Sequence, residues 1–133
     1  MASLTARNRR VPLLLAPVAL LVFATTTHAE VVEIAWDASG RFDRVIDLAP
    51  AKFAEVCGRL TKGQSITWSF KSGQPSNFNI HYHEGKNVLF PAKKDRTAAL
   101  DGELQVGIDQ DYCWMWENPG DAGTTLTVAL RRH

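Results

Sequence analysis

The feature that most constrains this chain is its pair of cysteines, because Cys57 and Cys113 are the only two among 133 residues. Cys113 stands between Tyr112 and Trp114, in an aromatic segment that ends at a Pro-Gly turn. In an exported protein two such cysteines are expected to form a disulfide, because oxidising compartments preserve the bond. A disulfide that closes the loop between residues 57 and 113 contributes roughly 4 kcal/mol to stability in the chain-entropy model. The free energy of unfolding of a whole domain is typically ~5–15 kcal/mol.

Residues 1–29 are typical of a signal for export. A start with three arginines is followed by an apolar run over residues 11–25, and Thr27-His28-Ala29 offers small residues where a signal peptidase cleaves. The run is broken by prolines and is shorter than the roughly 20 residues of a membrane-spanning helix. The residues after the arginine pair fit a twin-arginine signal poorly. We therefore expect a Sec-type signal peptide, a mature domain over residues 30–133, and a periplasmic or secreted protein.

The mature domain carries little net charge. The leader holds three of the 15 basic residues and none of the 14 acidic ones, so its removal leaves a formal charge of −2. This balance provides no electrostatic basis for binding nucleic acid or an anionic membrane. We expect neither partner once the signal has been cleaved.

Short apolar runs separated by turn residues predict an all-β domain. In residues 65–70 the apolar side chains alternate with polar ones, the period of a half-buried strand. Residues 52–60 also fit helical spacing, so the sequence leaves a strand or a single turn open there. Further strands are predicted at residues 31–36, 42–48, 78–83, 87–90, 104–108, 112–116 and 125–130, and loops at residues 71–76 and 91–96.

The spacing of these segments predicts the architecture. Strands that recur about every 8–12 residues, without a long helical segment, are typical of an antiparallel sandwich or barrel. We predict a jelly-roll-like antiparallel β-sandwich of about seven or eight strands with one disulfide.

Two parts of the sequence resemble the GOLD (Golgi-dynamics) domain. In cargo receptors of the eukaryotic secretory pathway, that domain has a cysteine before a Lys-Gly turn and a Tyr-x-x-Cys-aromatic-x-Asn strand that supplies its disulfide partner. The resemblance covers residues 53–131 and implies a β-sandwich with a Cys57–Cys113 bridge. The matching elements are Cys57, Lys62-Gly63-Gln64, residues 66–70, Gly102, residues 111–118 and residues 125–128.

The chain also departs from the GOLD pattern. Its tyrosine precedes the cysteine directly, and we find neither the coiled coil nor the carboxy-terminal membrane anchor of the receptors in this sequence. We therefore expect a bacterial exported relative in which the fold is kept and cargo transport is not.

The best candidate for ligand chemistry is the His-x-His pair, His81 and His83. Alternate residues of a strand share a face, which places their Cα atoms about 6.5–7 Å apart. Two imidazoles so placed suit copper or zinc. A tetrahedral zinc site needs three or four ligands, and Glu84, Met115 and His133 are the candidates to complete it. The other interpretation is a solvated strand face beside a hairpin, so no cofactor is certain.

Met115 and the tryptophans each admit two interpretations. Met115 shares a strand face with Cys113 and could bind Cu(I) or fill space against aromatic rings. Trp114 and Trp116 lie on the opposite face, where they either pack in the core or form a platform for a ligand. If the disulfide joins the two sheets, the side chain of Cys113 must point into the core. If the two tryptophans are in the core, strand alternation points Cys113 toward solvent. The sequence leaves the buried face open.

No motif in the sequence indicates an enzyme. We find no nucleophile elbow, metalloprotease helix, phosphate-binding glycine loop or Cys-x-x-Cys pair. We therefore expect a non-catalytic exported binding or adaptor domain, whose partner is a protein or small ligand that the sequence does not identify. The main alternative is a periplasmic copper or zinc handling protein that uses His81 and His83. A small hydrolase with an unrecognised site is a third, less favoured, interpretation.

Overall fold

The computed structural model describes residues 29–133, in which every regular element is a strand. The predicted signal peptide lies outside the described residues, apart from Ala29. Within the described part of the chain there is no helix able to span a membrane. The predicted all-β fold is confirmed, and the segment for which a strand or a single turn was left open forms a strand over residues 53–60. The strands are β1 (Glu30–Glu33), β2 (Arg41–Leu48), β3 (Phe53–Leu60), β4 (Ser65–Glu84), β5 (Asn87–Gln105), β6 (Gln110–Glu117) and β7 (Thr124–Arg132).

The long strand β4 belongs to both layers of the sandwich. Its residues 66–72 pair with β7, and its residues 77–82 pair with β6. Strand β5 runs back along the other edge of β4. We call β1, β3, β6, the second half of β4 and the first half of β5 the first sheet. The second sheet comprises β2, β7, the first half of β4 and the second half of β5. All pairings are antiparallel except that of β1 with β3.

The loops predicted at residues 71–76 and 91–96 are wrong, because both segments continue β4 and β5. The register between the two strands is irregular in two stretches: from Lys71 to Phe78, with a shift on each side of Ser76, and from Ile80 to Tyr82. Pro75 lies within the first irregular stretch, and Pro91 lies opposite the second. Proline is tolerated in strands at such bulges, and bulges bend the strands that carry them. The bent hairpin can therefore contribute to both sheets.

Alternate residues of each strand fill the core between the sheets. Trp68, Phe70, Phe78 and Trp116 form an aromatic cluster with ring centroids 4.8–5.6 Å apart. Leu126, Val128 and Leu130 of β7 and Phe42, Ile46 and Leu48 of β2 close the core from the second sheet.

The buried side chain of Asn118 holds two loops together at one end of the sandwich. Its amide nitrogen donates to the carbonyls of Leu48 and Ala49 at 3.3 Å and of Ala122 at 2.8 Å. Its Oδ1 accepts from the N–H of Gly120 at 2.9 Å. The buried amide therefore has partners for both its nitrogen and its oxygen, and it links the end of β2 to the loop after β6.

We predict that Asn118→Ala lowers the free energy of unfolding by about 2–4 kcal/mol, because several hydrogen bonds of ~0.5–1.5 kcal/mol each are lost together. Urea denaturation followed by tryptophan fluorescence measures the change. Asn87→Ala, at an exposed position beside the hairpin turn, is the matched control and should change stability by less than ~0.5 kcal/mol. Equal losses of stability in the two variants would contradict a stabilising role for the hydrogen bonds of Asn118.

Candidate functional site

The outward surface of the first sheet gathers the residues that the sequence singled out. Register places Glu55, Met115 and Asn79 in one row across three strands, and Cys57, Cys113 and His81 in the next. We call this surface the disulfide face; it comprises Glu55, Cys57, Asn79, His81, His83, Cys113 and Met115.

The predicted disulfide is confirmed, and it lies within one sheet. Cys57 and Cys113 are directly opposite each other on β3 and β6, with Cα atoms 4.1 Å apart. Such a short distance is typical of a non-hydrogen-bonded antiparallel pair, where facing side chains are closest. The bond therefore links neighbouring strands and does not join the two sheets.

The open question of which face of β6 is buried is also answered. Trp114 and Trp116 are 0% and 1% exposed and fill the core. Strand alternation then turns Cys113 and Met115 outward. Contact of the two tryptophans with a ligand stays a prediction, and in this structure both rings are enclosed by the core.

His81 is the most buried polar member of the disulfide face, at 7% exposure. Its Nδ1 lies 2.8 Å from Oδ1 of Asn79, and its Nε2 lies 3.9 Å from Oε1 of Glu55. Burial lowers the pKa of His81, the Glu55 carboxylate opposes this by raising it, and His83 lowers it further. The neutral imidazole is favoured, and its hydrogen on Nδ1 is assigned from the Asn79 acceptor. Nε2 then presents a lone pair toward Glu55.

The structure brings together only some of the predicted metal ligands. His81 and His83 share the disulfide face, with ring centroids 5.4 Å apart. Glu84 ends β4 on the other side of the strand, near Tyr112, whose pKa is raised by burial and further by Glu84. His133 follows the second sheet, with Nε2 3.2 Å from the hydroxyl of Thr67. Metal binding by His81, His83, Glu84 and Met115 stays a prediction.

Sequence reasoning missed Glu55, the acidic member of the disulfide face. Among the described residues, one group of three metal-ligating side chains has its donor atoms within 4.8 Å of one another, and it consists of Glu55, Cys57 and Cys113. Both sulfurs are bonded to each other, so neither is a thiolate ligand in this state. The signal that could have found Glu55 is its spacing of two residues from Cys57, but the ambiguity of residues 52–60 hid it.

Exposed apolar side chains concentrate on the same side of the first sheet. Val31 pairs with Glu55, and Val88 pairs with His83. The ring of Phe90 lies 6.1 Å from that of His81. Of the five large hydrophobic residues exposed among residues 29–133, four belong to this side and only Val45 lies on the second sheet. The four, with their exposed fractions, are Val31 (64%), Phe53 (36%), Val88 (42%) and Phe90 (51%).

A shallow hollow also lies on the outward surface of the second sheet. Small residues such as Ser69 and Ala129 form its floor. Two arginines and three carboxylates line it, so its charges are mixed; they are Arg41, Arg131, Asp43, Asp101 and Glu103. The disulfide face, with its apolar flanks and buried histidine, is the stronger candidate.

No protein-family model matches the sequence, and no curated protein matches it. Solved structures match by fold. PliG from Aeromonas hydrophila, a periplasmic inhibitor of g-type lysozyme, has a TM-score of 0.64 at 10% identity, covering 79% of this chain and 97% of that one. The corresponding Salmonella Typhimurium PliG has a TM-score of 0.60 at 10% identity, covering 80% and 100%.

A third similar structure is the pre-peptidase C-terminal domain of a Bacillus anthracis collagenase, with a TM-score of 0.51 at 12% identity, covering 76% of this chain and 94% of that one. At these identities the likeness shows the fold alone. These similarities do not confirm the resemblance to the GOLD domain, which stays a prediction.

We predict that acid destabilises the oxidised protein partly through His81. Because the pKa of His81 is lowered in the folded state, the unfolded chain takes up a proton first, and stability falls as the pH drops below about 6.5. Urea denaturation at several pH values, with EDTA present, should show a smaller loss for His81→Gln than for the wild type.

The matched control is His133→Gln, which removes an exposed histidine outside the disulfide face. This variant should keep the acid-induced loss of the wild type. If His81→Gln loses as much stability in acid as the wild type does, the lowered pKa of His81 in the folded state does not account for the acid sensitivity.

Proposed function

We propose that this chain is an exported, non-catalytic protein-binding domain of the periplasm, and that its partner is a lysozyme of the g type bound through the disulfide face. The observation that carries the proposal is the concentration of Val31, Phe53, Val88 and Phe90 on one side of the first sheet. Single exposed apolar residues are ordinary, but several on one surface are typical of interaction sites. The fold likeness to two periplasmic inhibitors of g-type lysozyme supports the choice of partner.

The composition of the surface suits a protein more than a small molecule. Met115 and the disulfide lie in the middle of the face, and the exposed Val31 and Phe90 lie on its edge strands β1 and β5. Arg59 and Asp111, paired at 3.8 Å, and Lys93 are exposed on the same surface. Aromatic residues, methionine and arginine are enriched at protein interfaces relative to the rest of the surface. A sheet with a disulfide between adjacent strands is already ordered, which reduces the entropy lost on binding.

The disulfide face offers binding contacts and no arrangement of catalytic groups. Its two sulfurs are bonded to each other and offer no nucleophile. The Nδ1 of His81 is engaged by Asn79, and its Nε2 faces a carboxylate rather than a hydroxyl or thiol that it could activate. These contacts support a recognition role.

We predict that the purified mature protein binds a g-type lysozyme and inhibits its hydrolysis of peptidoglycan. Phe90→Asp should weaken binding at least tenfold, because an interface anchor of this kind is worth ~1.4 kcal/mol or more. Biolayer interferometry gives the affinity, and turbidity of a cell-wall suspension gives the inhibition.

Val45→Asp is the matched control, because Val45 is 63% exposed but lies on the second sheet. It should bind like the wild type. No binding by the wild type, or equal binding to a c-type lysozyme, would overturn the choice of partner. Equal weakening by the two substitutions would overturn the choice of surface.

A second candidate function is copper or zinc handling. It is favoured by one observation, namely that the rings of His81 and His83 lie 5.4 Å apart on the same face. Imidazole suits either metal, and the nearby thioether of Met115 suits Cu(I). We predict that, if this function operates, the oxidised protein binds Cu(I), Cu(II) or Zn(II) more tightly than His81→Ala/His83→Ala in calorimetric titrations. Equal, weak binding by the two forms would exclude it.

A further inference from the structure

Three potential metal ligands from two neighbouring strands meet at the disulfide, and the imidazole of His81 on the next strand lies beside them, outside that group of three. The donor atoms of Glu55, Cys57 and Cys113 lie within 4.8 Å of one another. One carboxylate oxygen of Glu55 is 3.9 Å from Sγ of Cys57, and the other is 3.9 Å from Nε2 of His81. His81 is also the direct neighbour of Cys113 across β4 and β6. Glu55 thus lies between the sulfur pair and the imidazole.

We propose that reduction of the Cys57–Cys113 bond converts this group into a Zn²⁺ site formed by two thiolates, the His81 imidazole and the Glu55 carboxylate. A dithiol reductant supplies two electrons and two protons, so the protein disulfide becomes two thiols and the reductant becomes a disulfide. Zn²⁺ then replaces the two thiol protons, which pass to solvent. In the oxidised state the sulfurs are not thiolates, and the site does not exist.

The donor set selects zinc among the common metals. Two sulfurs, one nitrogen and one oxygen form the tetrahedral environment of protein-bound zinc. Cu(I) prefers soft sulfur ligands over a carboxylate, whereas Ca²⁺ and Mg²⁺ prefer sites in which every ligand atom is oxygen. At Zn–S distances of about 2.3 Å, two thiolates are roughly 3.7 Å apart. With Cα atoms 4.1 Å apart, rotation of the cysteine side chains can provide that separation without moving the strands.

The ring of His81 is held by a hydrogen bond to Asn79. The hydrogen bond from Nδ1 to Asn79 sets the plane of the ring and leaves Nε2 as the ligating atom. In metal sites a histidine is usually oriented in this way, by a hydrogen bond from the ring nitrogen that does not bind the metal. Nε2 and the Glu55 oxygen both present lone pairs toward each other at 3.9 Å. A cation held between them removes that repulsion.

The test compares oxidised and reduced protein with Zn²⁺ and, as a spectroscopic probe, Co²⁺. After reduction and removal of the reductant without oxygen, competition with a chromophoric chelator should show one Zn²⁺ bound at least 100-fold more tightly than by the oxidised protein. Co²⁺ should show a thiolate charge-transfer band and the strong visible bands of a tetrahedral site. Glu55→Gln and His81→Gln should each weaken binding at least tenfold.

His83→Gln is the matched control and should keep the affinity of the reduced protein, which separates this site from the His81–His83 pair. Circular dichroism reports whether the reduced protein stays folded. If reduction unfolds it, refolding by one equivalent of Zn²⁺ would support the proposal. Failure to refold, equal affinity in both redox states, or wild-type affinity in both Glu55→Gln and His81→Gln would overturn it. Lysozyme binding by the oxidised protein is independent of every one of these outcomes.

Discussion

The alternation of side chains along β6 determines both the core and the candidate site. Tyr112, Trp114 and Trp116 are buried, so the residues between them must face outward. Register with β3 and β4 then sets Cys57 and His81 beside Cys113, and Glu55 and Asn79 beside Met115. The disulfide face is therefore a consequence of how the core is packed. A shift of one residue in β6 would bury the sulfurs and expose both tryptophans.

The core tolerates an electrostatic cost to bury these tryptophans. The indole N–H groups of Trp68, Trp114 and Trp116 have no acceptor among residues 29–133. An unsatisfied buried donor costs about 1–3 kcal/mol, whereas burying an aromatic side chain of 150–250 Å² contributes about 4–6 kcal/mol at 25 cal/mol per Å². The free energy gained by burying the ring therefore exceeds the cost of the unpaired N–H at each position. Gly102 makes room for one ring, because a Cβ there would lie 2.6 Å from Cζ2 of Trp68.

Local patterns predicted the clearly alternating strands better than the segments that join them. Residues 112–116 and 125–130 alternate clearly, and both were recognised as strands. Residues 71–76 and 91–96 contain the proline, glycine and charged residues of a loop, yet pairing between β4 and β5 holds them in a bent hairpin. The spacing of Glu55 from Cys57 gives only a shared strand face, whereas its position beside Met115 depends on the register between β3 and β6. That register joins segments far apart in the chain, which no local pattern reports.

The position of the disulfide separates its effect on stability from its effect on the surface. In the chain-entropy model the bond acts by restricting the unfolded chain, and that effect depends on loop length and not on which face carries the sulfurs. Packing of Trp114 against the core already sets the register of β6, so the bond is not needed to choose the face. Cys57 and Cys113 can therefore lie outward, half-buried beside His81, where a partner or a reductant can reach them. A bond buried between the sheets would stabilise the chain equally but would leave no sulfur at the surface.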